Sequence, residues 1–346
     1  MKEPCLVSIA GEDRQFLCHA DEYLLDAALR NGVPLPHNCR GGACGTCKAD
    51  VLEGAVDHGW VMSFAITDQE RADGKCLLCV SRPAAPRITV RPQARTDGSA
   101  EHEATVVASH LLSPRLRVLK LALPATTSFR FDAGQHVELV IDDATARPYS
   151  IVEAPDDQGR PPRGLLTFYV SRHDAGRVST WLHEQAHVGR SLRLRGPYGA
   201  SCPQPPAQSP MVMMAGGSGL APLLSLAQCF LAKGHHGQLQ LLFSVRSPGE
   251  VFALDELAAL QSRHPNLNVR LCLTRTAPPG LPDGWHGGRI PDLLHRSAET
   301  FSGARVFIAG SPAFVDACRT AALVHGAIQS DIWTEAYAFR DRGDSL

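Results

Sequence analysis

An excess of charge is the first thing this sequence lacks: 34 Lys and Arg stand against 35 Asp and Glu over 346 residues, a net charge of −1 with His neutral. A chain so balanced gives nucleic acid or an anionic membrane no general hold, so any docking surface must be local. A basic start followed by an apolar core is missing as well. The opening MKEPCLVSIAGEDRQF does not read as a secretory leader, and the expected location is the cytoplasm. Disulfides are rare there, so 11 cysteines imply a metal centre plus free buried thiols such as Cys229, Cys272 and Cys318. Residues 210–232 lack charge altogether, yet Gly216, Gly217, Gly219 and Pro222 break that run into strand, tight loop and helix, which argues against a membrane span. The length allows two or three domains with full cores.

What is present begins with PHNCRGGACGTCK at 36–48. Cys39, Cys44 and Cys47 stand at C-x4-C-x2-C spacing, and Cys79 follows inside Leu77-Leu78-Cys79-Val80. That is the plant-type spacing of a [2Fe–2S] cluster, with an expected potential of order −400 mV. Two irons and two bridging sulfides need four thiolates. Gly41, Gly42 and Gly45 let backbone amides approach the sulfides. Structural zinc usually pairs two short clusters, whereas here one dense cluster faces a single distant cysteine. Cys76 competes with Cys79 for the fourth place. A strand through 76–80 points the two to opposite faces, so only one ligates. The Leu-Leu-Cys-Val context of Cys79 resembles that of the closing ligand in plant-type ferredoxin domains, which favours Cys79.

Residues 1–92 read as the cluster domain. Strands at 6–10 and 15–18 flank a turn, and a helix follows with Asp21 as cap, Leu24, Leu25, Ala28 and Leu29 as apolar stripe and Asn31-Gly32 as stop. A last strand lies at 88–90. This is the order of a small β-grasp ferredoxin. The text RPQARTDGSAEH at 91–102 has no periodicity and predicts a linker, 93–102. Residues 103–207 carry short strands at 104–108, 116–123, 136–141, 165–170 and 192–194, which suggest an antiparallel β-barrel. The proline-rich 201–210 predicts a stiff connector. From 208 to 346, strands at 211–215, 239–245, 267–273, 306–309 and 328–333 alternate with helices at 220–232, 254–262 and 312–325. That pattern predicts a doubly wound parallel sheet with ligands at the carboxyl ends of its strands. The fold class is thus multidomain, α+β and α/β.

Three motifs lie in these regions. Arg147-Pro148-Tyr149-Ser150, followed by Gly176-Arg177-Val178-Ser179 at a helix start, resembles the paired signatures of ferredoxin reductase-type flavin domains. The resemblance implies that Tyr149 packs on the isoalloxazine, Ser150 stands at flavin N5, Arg147 neutralises pyrophosphate, and Pro148, Tyr169, Val170, Gly176, Val178 and Ser179 complete the site. FAD is expected rather than FMN, since 176–179 suits a pyrophosphate. Gly216-Gly217-Ser218-Gly219-Leu220-Ala221-Pro222 lacks the G-x-G-x-x-G fingerprint but is similar to the nicotinamide turn of the same family. Gly310, Ser311 and Pro312 stand where the family has Cys-Gly-x-Pro, with Ala309 in place of the cysteine. Glu335 and Tyr337 stand where it has an acid and a nearby aromatic, so catalytic roles fall to Ser150, Tyr149, Glu335 and Tyr337.

Taken together, the chain resembles the reductase components of bacterial aromatic-ring hydroxylating oxygenases, and GSPAFVDACRTAA at 310–322 is similar to the terephthalate dioxygenase reductases. The resemblance implies electron flow from NADH or NADPH through FAD and a [2Fe–2S] cluster to an oxygenase partner. The same path serving a sugar-deoxygenation or a methane- or phenol-type hydroxylase remains an alternative, as does an iron–sulfur carrier or sensor without turnover. Arg246 and Ser247, after the second strand of the last domain, are placed to accept a 2′-phosphate and so NADPH; alternatively Glu250 reaches the ribose and restores a preference for NADH.

Overall fold

The computed structural model describes residues 4–37, 40–42, 45–59, 61, 65–93, 100–142, 145–174, 176–199, 202, 204–275, 277–297 and 299–337. These fall into two compact units, one reaching to Ala100 with Tyr198, Gly199, Ala336 and Tyr337, the other running from Glu101 to Pro197 and from 202 to 335.

In the first unit, β1 (Cys5–Ile9) and β2 (Gln15–Cys18) pair antiparallel, and α1 (Leu24–Arg30) buries Leu24, Leu25, Ala27 and Ala28. Then come β3 (Lys48–Glu53), β4 (Val56–Asp57), α2 (Asp68–Ala72), β5 (Lys75–Leu77), β6 (Arg82–Pro83) and β7 (Arg87–Pro92). The sheet order β2-β1-β7-β3-β5, with β1 parallel to β7, is that of a β-grasp. No side chain caps α1; its N-cap is Tyr23, not Asp21. The first helical amides need no such cap, because Leu24 and Leu25 donate to the carbonyls of Ser81 (3.0 Å) and Leu78 (2.9 Å). Of the expected linker, Arg91 and Pro92 finish β7 and Ala100 to His102 begin β8, while 94–99 lie outside the described residues.

The second unit opens with β8 (Ala100–Ser113), β9 (Leu116–Ala122), β10 (His136–Asp142), β11 (Thr145–Ser150), β12 (Leu165–Ser171), α3 (Arg177–Gln185) and β13 (Ser191–Tyr198). Their order is β11-β10-β13-β8-β9-β12. Val152, just past β11, donates to Thr167 on β12 (3.0 Å), which draws the two ends of that order together into a barrel. Leu121, Val137, Leu139, Phe168 and Val170 fill it.

Then follow β14 (Met211–Gly216), α4 (Leu220–Ala232), β15 (Leu239–Val245), α5 (Leu254–Arg263), β16 (Leu267–Leu273), β17 (Trp285–Gly287), α6 (Ile290–His295), β18 (Arg305–Gly310), α7 (Pro312–Val324) and β19 (Ile332–Ala336). The sheet is β17-β16-β15-β14-β18-β19, with parallel pairing throughout β17 to β18. Sequence reading missed β17 and α6, and it began the last strand too early, since Gln329–Asp331 form one 3-10 turn. The connector is not extended at its end. Ser209 donates to Pro206 (3.1 Å) and the Ala207 carbonyl takes both His236 and Gly237 amides, while Ser201 and Pro203 lie outside the described residues. The apolar face of α4 buries Leu223, Leu226, Ala227 and Phe230 in one core with Leu116, Val118 and Tyr169 of the barrel. Each such leucine or phenylalanine contributes roughly 1.5–3 kcal/mol. No helix among the described residues is long and apolar enough to cross a membrane.

Candidate functional site

Cys47 and Cys79 are both buried, and the Leu78 amide donates to the Cys47 carbonyl (3.1 Å), so the chain around Cys79 is fastened to the end of the cysteine loop. Cys39 and Cys44 lie outside the described residues. The expected strand through 76–80 stops at Leu77, because β3 begins at Lys48, opposite Leu77, and offers no partner further on. Val80 and Ser81 both donate to the Leu77 carbonyl in a turn. The argument from opposite faces therefore fails. Position separates the cysteines instead: Cys76 sits within the ladder opposite Ala49, its thiol pushed up to about 12 by burial, whereas Cys79 lies in the turn beside Cys47. Arg40 (φ +53°), Gly42 (+72°) and Gly45 (+77°) curl the loop through left-handed backbone, the geometry that turns successive amides toward one point and suits the sulfides of a cluster. His37 bonds the Leu35 carbonyl through Nδ1 (2.7 Å), leaving Nε2 to accept from Arg40 (3.2 Å).

In the barrel, β11 carries Arg147, Pro148, Tyr149 and Ser150 in register with Leu139, Glu138, Val137 and His136. Pro148 sits in the last strand of the sheet order, where its missing N–H costs little. Tyr149 packs partly buried against the barrel core. Ser150 shares the other face with His136 and Glu138, two buried polar residues that sequence reasoning missed although QHVELVI shows them alternating with apolar positions. The Ser150 hydroxyl donates to Glu335 Oε1 at 2.6 Å, with both side chains buried. Two sequence-named residues from different elements thus meet in one short bond. Tyr337 follows β19, half-buried.

At α3, Gly176 is the N-cap, and a Cβ there would stand 2.6 Å from Ser179 Oγ and 2.9 Å from His173 Cβ, so only glycine fits. Ser179 is engaged locally, accepting from the His173 amide (3.1 Å) and donating to the Gly176 carbonyl (3.1 Å). Val178 is buried in the barrel, and Arg177 pairs with Asp142 (2.9 Å). What this end offers a pyrophosphate is backbone N–H, beside an open groove of about 500 Å³ lined by Gly176, Arg177, Thr180 and Trp181 and also by the acidic Asp174 and Glu184. Tyr169 turns away from the barrel interior, its hydroxyl donating to Glu256 (2.9 Å), and Val170 points inward with its carbonyl bonded to His183 Nε2 (2.9 Å).

The nucleotide turn follows β14, the strand flanked by β15 on one side and β18 on the other, which is the switch point of the sheet. Gly217–Gly219 make one 3-10 turn and Pro222 lies in the first turn of α4. A Cβ on Gly219 would stand 2.1 Å from the Ala309 carbonyl oxygen, and one on Gly216 2.9 Å from the Phe314 ring. Only glycine therefore fits at these two positions, and the turn runs straight into the N-terminal, positive end of α4, whose first amides are bonded to the Gly217 and Ser218 carbonyls. Gly310 ends β18, Ser311 caps α7 by accepting from the Phe314 amide (3.4 Å), and Pro312 takes the first helical position. After β15, Arg246 is not free: Glu250 holds its guanidinium at 2.8 and 3.0 Å and accepts its amide at 3.2 Å, while Ser247 precedes a 3-10 turn.

Family models match three successive regions: a 2Fe-2S iron-sulfur cluster binding domain at residues 7–84, an oxidoreductase FAD-binding domain at 103–201 and an oxidoreductase NAD-binding domain at 213–320. Similar relatives include the ferredoxin–NAD(P)(+) reductase component of the naphthalene 1,2-dioxygenase system of Pseudomonas putida, 30% identical over 91% of this chain and 93% of that protein. The reductase subunit of an aromatic O-demethylase of Amycolatopsis is 33% identical (90% and 92%), and a terephthalate 1,2-dioxygenase reductase component of Comamonas 28% (96% and 97%). Among solved structures, an Amycolatopsis cytochrome P450 reductase aligns with TM-score 0.73 at 30% identity over 97% of this chain and 99% of that one. The ferredoxin reductase of a carbazole 1,9a-dioxygenase aligns with TM-score 0.68 at 27% identity (97% and 98%). The chain belongs to this family of iron–sulfur flavoprotein oxidoreductases, the reductase components of oxygenase systems.

Proposed function

We propose that this protein draws electrons from NADH through FAD and a [2Fe–2S] cluster to the oxygenase component of a multicomponent system, with an aromatic-ring hydroxylating dioxygenase of the terephthalate type as its client. The observation that carries the reading is the 2.6 Å bond from Ser150 to Glu335, which joins the flavin motif to the nicotinamide sheet at a buried point. A bound flavin supplies the conversion between the two electrons nicotinamide gives together and the one the cluster accepts. The chain's own residues do the rest. Ser150 holds a proton at Oγ, relayed to or from the Glu335 carboxyl; Arg147 offers a cation to phosphate; Tyr149 and Tyr337 offer ring faces; and 216–222 place the nucleotide's phosphates at the positive end of the α4 dipole. Cys39, Cys44, Cys47 and Cys79 form the cluster's ligand set, and the burial of Cys47 and Cys79 keeps water from the last two.

Glu250 favours NADH over NADPH in this reading. Its carboxylate already occupies Arg246 and would repel a 2′-phosphate, while it accepts readily from a ribose hydroxyl. The domain division that accompanies the proposal is 1–92, a linker at 93–102, 103–207 and 208–346, and the place of action is the cytoplasm. Family relatives are named for the naphthalene dioxygenase, an aromatic O-demethylase and propane 2-monooxygenase, so client choice is tested by reduction of the candidate oxygenase itself. The decisive experiment is anaerobic addition of NADH to the purified holoenzyme. Flavin absorbance should bleach and the electron paramagnetic resonance signal of a reduced [2Fe–2S] cluster should appear; bleaching with no cluster signal would sink the proposed path.

A further inference from the structure

Helix α4 reads LAPLLSLAQCFLA, and apart from Cys229 its only polar side chains are Ser225 and Gln228. They lie three residues apart, on one face, and both bond barrel backbone rather than the helix itself, Gln228 reaching α5 as well. The Ser225 side chain is fully buried. Its hydroxyl donates to the Glu153 carbonyl at 2.6 Å and accepts from the Gly134 amide at 3.3 Å. Gln228 accepts the Ala154 amide at 3.1 Å and donates to Glu256 at 3.4 Å, the same carboxylate that takes the Tyr169 hydroxyl at 2.9 Å. Nearer the turn, Ser171 of β12 donates to Ser218 at 3.0 Å. Gly134 allows the helix this close, since a Cβ there would stand 3.2 Å from Leu226 Cδ2.

The positions matter for the chemistry. Glu153 and Ala154 follow Ser150 by three and four residues, and α4 starts at the nucleotide turn itself. An apolar contact alone would let the helix slide over the barrel, because hydrophobic burial has no direction. Hydrogen bonds to backbone at both partners fix angle and height. Resting on the reading given above, we infer that Ser225 and Gln228 are positioning residues: they hold the nicotinamide turn in register with Ser150, so that the hydride donor meets the flavin face at reacting distance. A misplacement of about 1 Å costs roughly 100-fold in rate.

The test compares Ser225→Ala and Gln228→Met with wild type, each as FAD-loaded holoenzyme, by anaerobic stopped-flow with NADH. Ser225→Ala should slow flavin bleaching about 10- to 100-fold at saturating NADH with little change in the NADH concentration giving half the rate. It should also weaken the long-wavelength absorbance of NAD+ stacked on reduced flavin. Gln228→Met, at a half-buried site, should show the same pattern to a smaller degree, and it carries the test if Ser225→Ala does not fold. A variant that loses thermal stability but keeps both the saturated rate and the stacking absorbance overturns the positioning role, leaving only packing. A wild type that NADH does not bleach overturns the underlying reading along with it.

Discussion

In the cluster loop, Arg40, Gly42 and Gly45 adopt φ of +53°, +72° and +77°, whereas in the nucleotide turn only Gly217 is left-handed (+54°) and Gly216 and Gly219 have ordinary backbone, φ −110° and −59°. The first loop uses glycine for the sign of its dihedral, and tolerates one arginine at the same kind of angle. The second uses glycine for room at Gly216 and Gly219, because helix α7 and strand β18 stand where a Cβ would be, and for its angle only at Gly217, which has open space around it. The two loops thus fail differently: one by local strain, the other, at Gly216 and Gly219, by pushing the sheet apart.

The comparison breaks first at the thiolates, where the largest effect is expected. Cys79→Ser should abolish the cluster, read as iron and sulfide content, while Cys76→Ser should keep it; the reverse result would return the fourth place to Cys76. Next is Gly219→Ala, which forces the Ala309 carbonyl away from 2.1 Å and should cost about 3 kcal/mol in denaturant unfolding of the unit built on that sheet. Cluster content should be untouched. Gly45→Ala should cost less, about 1–2 kcal/mol for the left-handed angle, with only a 3.2 Å approach to the Ala65 carbonyl, and should lower cluster retention rather than nucleotide binding. If Gly45→Ala proves costlier than Gly219→Ala, room rather than dihedral governs both loops.

The smallest effects concern pH, and one carboxyl from each unit shows the two opposite signs. In the first, the hydrogen bond from Arg30 holds the Glu22 carboxyl below the usual carboxylate range, so the stability it lends is present above a pH of about 4.3 and is lost as pH falls through its lowered value. In the second, burial pushes the Glu153 carboxyl up, so its contribution is present below about 4.3 and lost as pH rises through its raised value. Glu153→Gln should therefore be more thermostable than wild type at neutral pH, the gain vanishing near pH 4. Glu22→Gln should cost a few tenths of a kcal/mol at neutral pH, since the Arg30 side chain is 46% exposed, and nothing in acid. Melting curves at pH 4 and pH 7 check both.

Long periodic elements were legible because one stretch of chain contains their whole cause. Helix α4 and strands β15 and β16 fall on the residues their apolar patterns mark, and Cys47, Cys79, Ser150 and Glu335 stand in motifs readable by spacing or resemblance. Elements made by a partner were not. β17 exists because Trp285, His286 and Gly287 pair with Leu271, Cys272 and Leu273, and β5 ends where β3 has no residue left to offer. Nor does a sequence show how side chains are used. Ser179 reads as a hydroxyl offered to phosphate, while in the structure it donates to the adjacent Gly176 carbonyl. Ser225 and Gln228 look like interruptions in an apolar helix, though two polar residues three apart in an otherwise greasy face were a signal open to reading.

The bond between Ser150 and Glu335 joins residues 185 positions apart, and that separation has a consequence during synthesis. A ribosome adding 5–20 residues per second delivers Glu335 about 10–40 s after Ser150. In that interval the barrel, whose contacts are shorter in range, has time to close and to load its flavin, while the acid that completes the reactive pair has yet to be translated. On the proposed reading, a nascent chain in this state lacks the carboxyl partner of Ser150, so a chain released early and loaded with FAD should be slow to oxidise NADH.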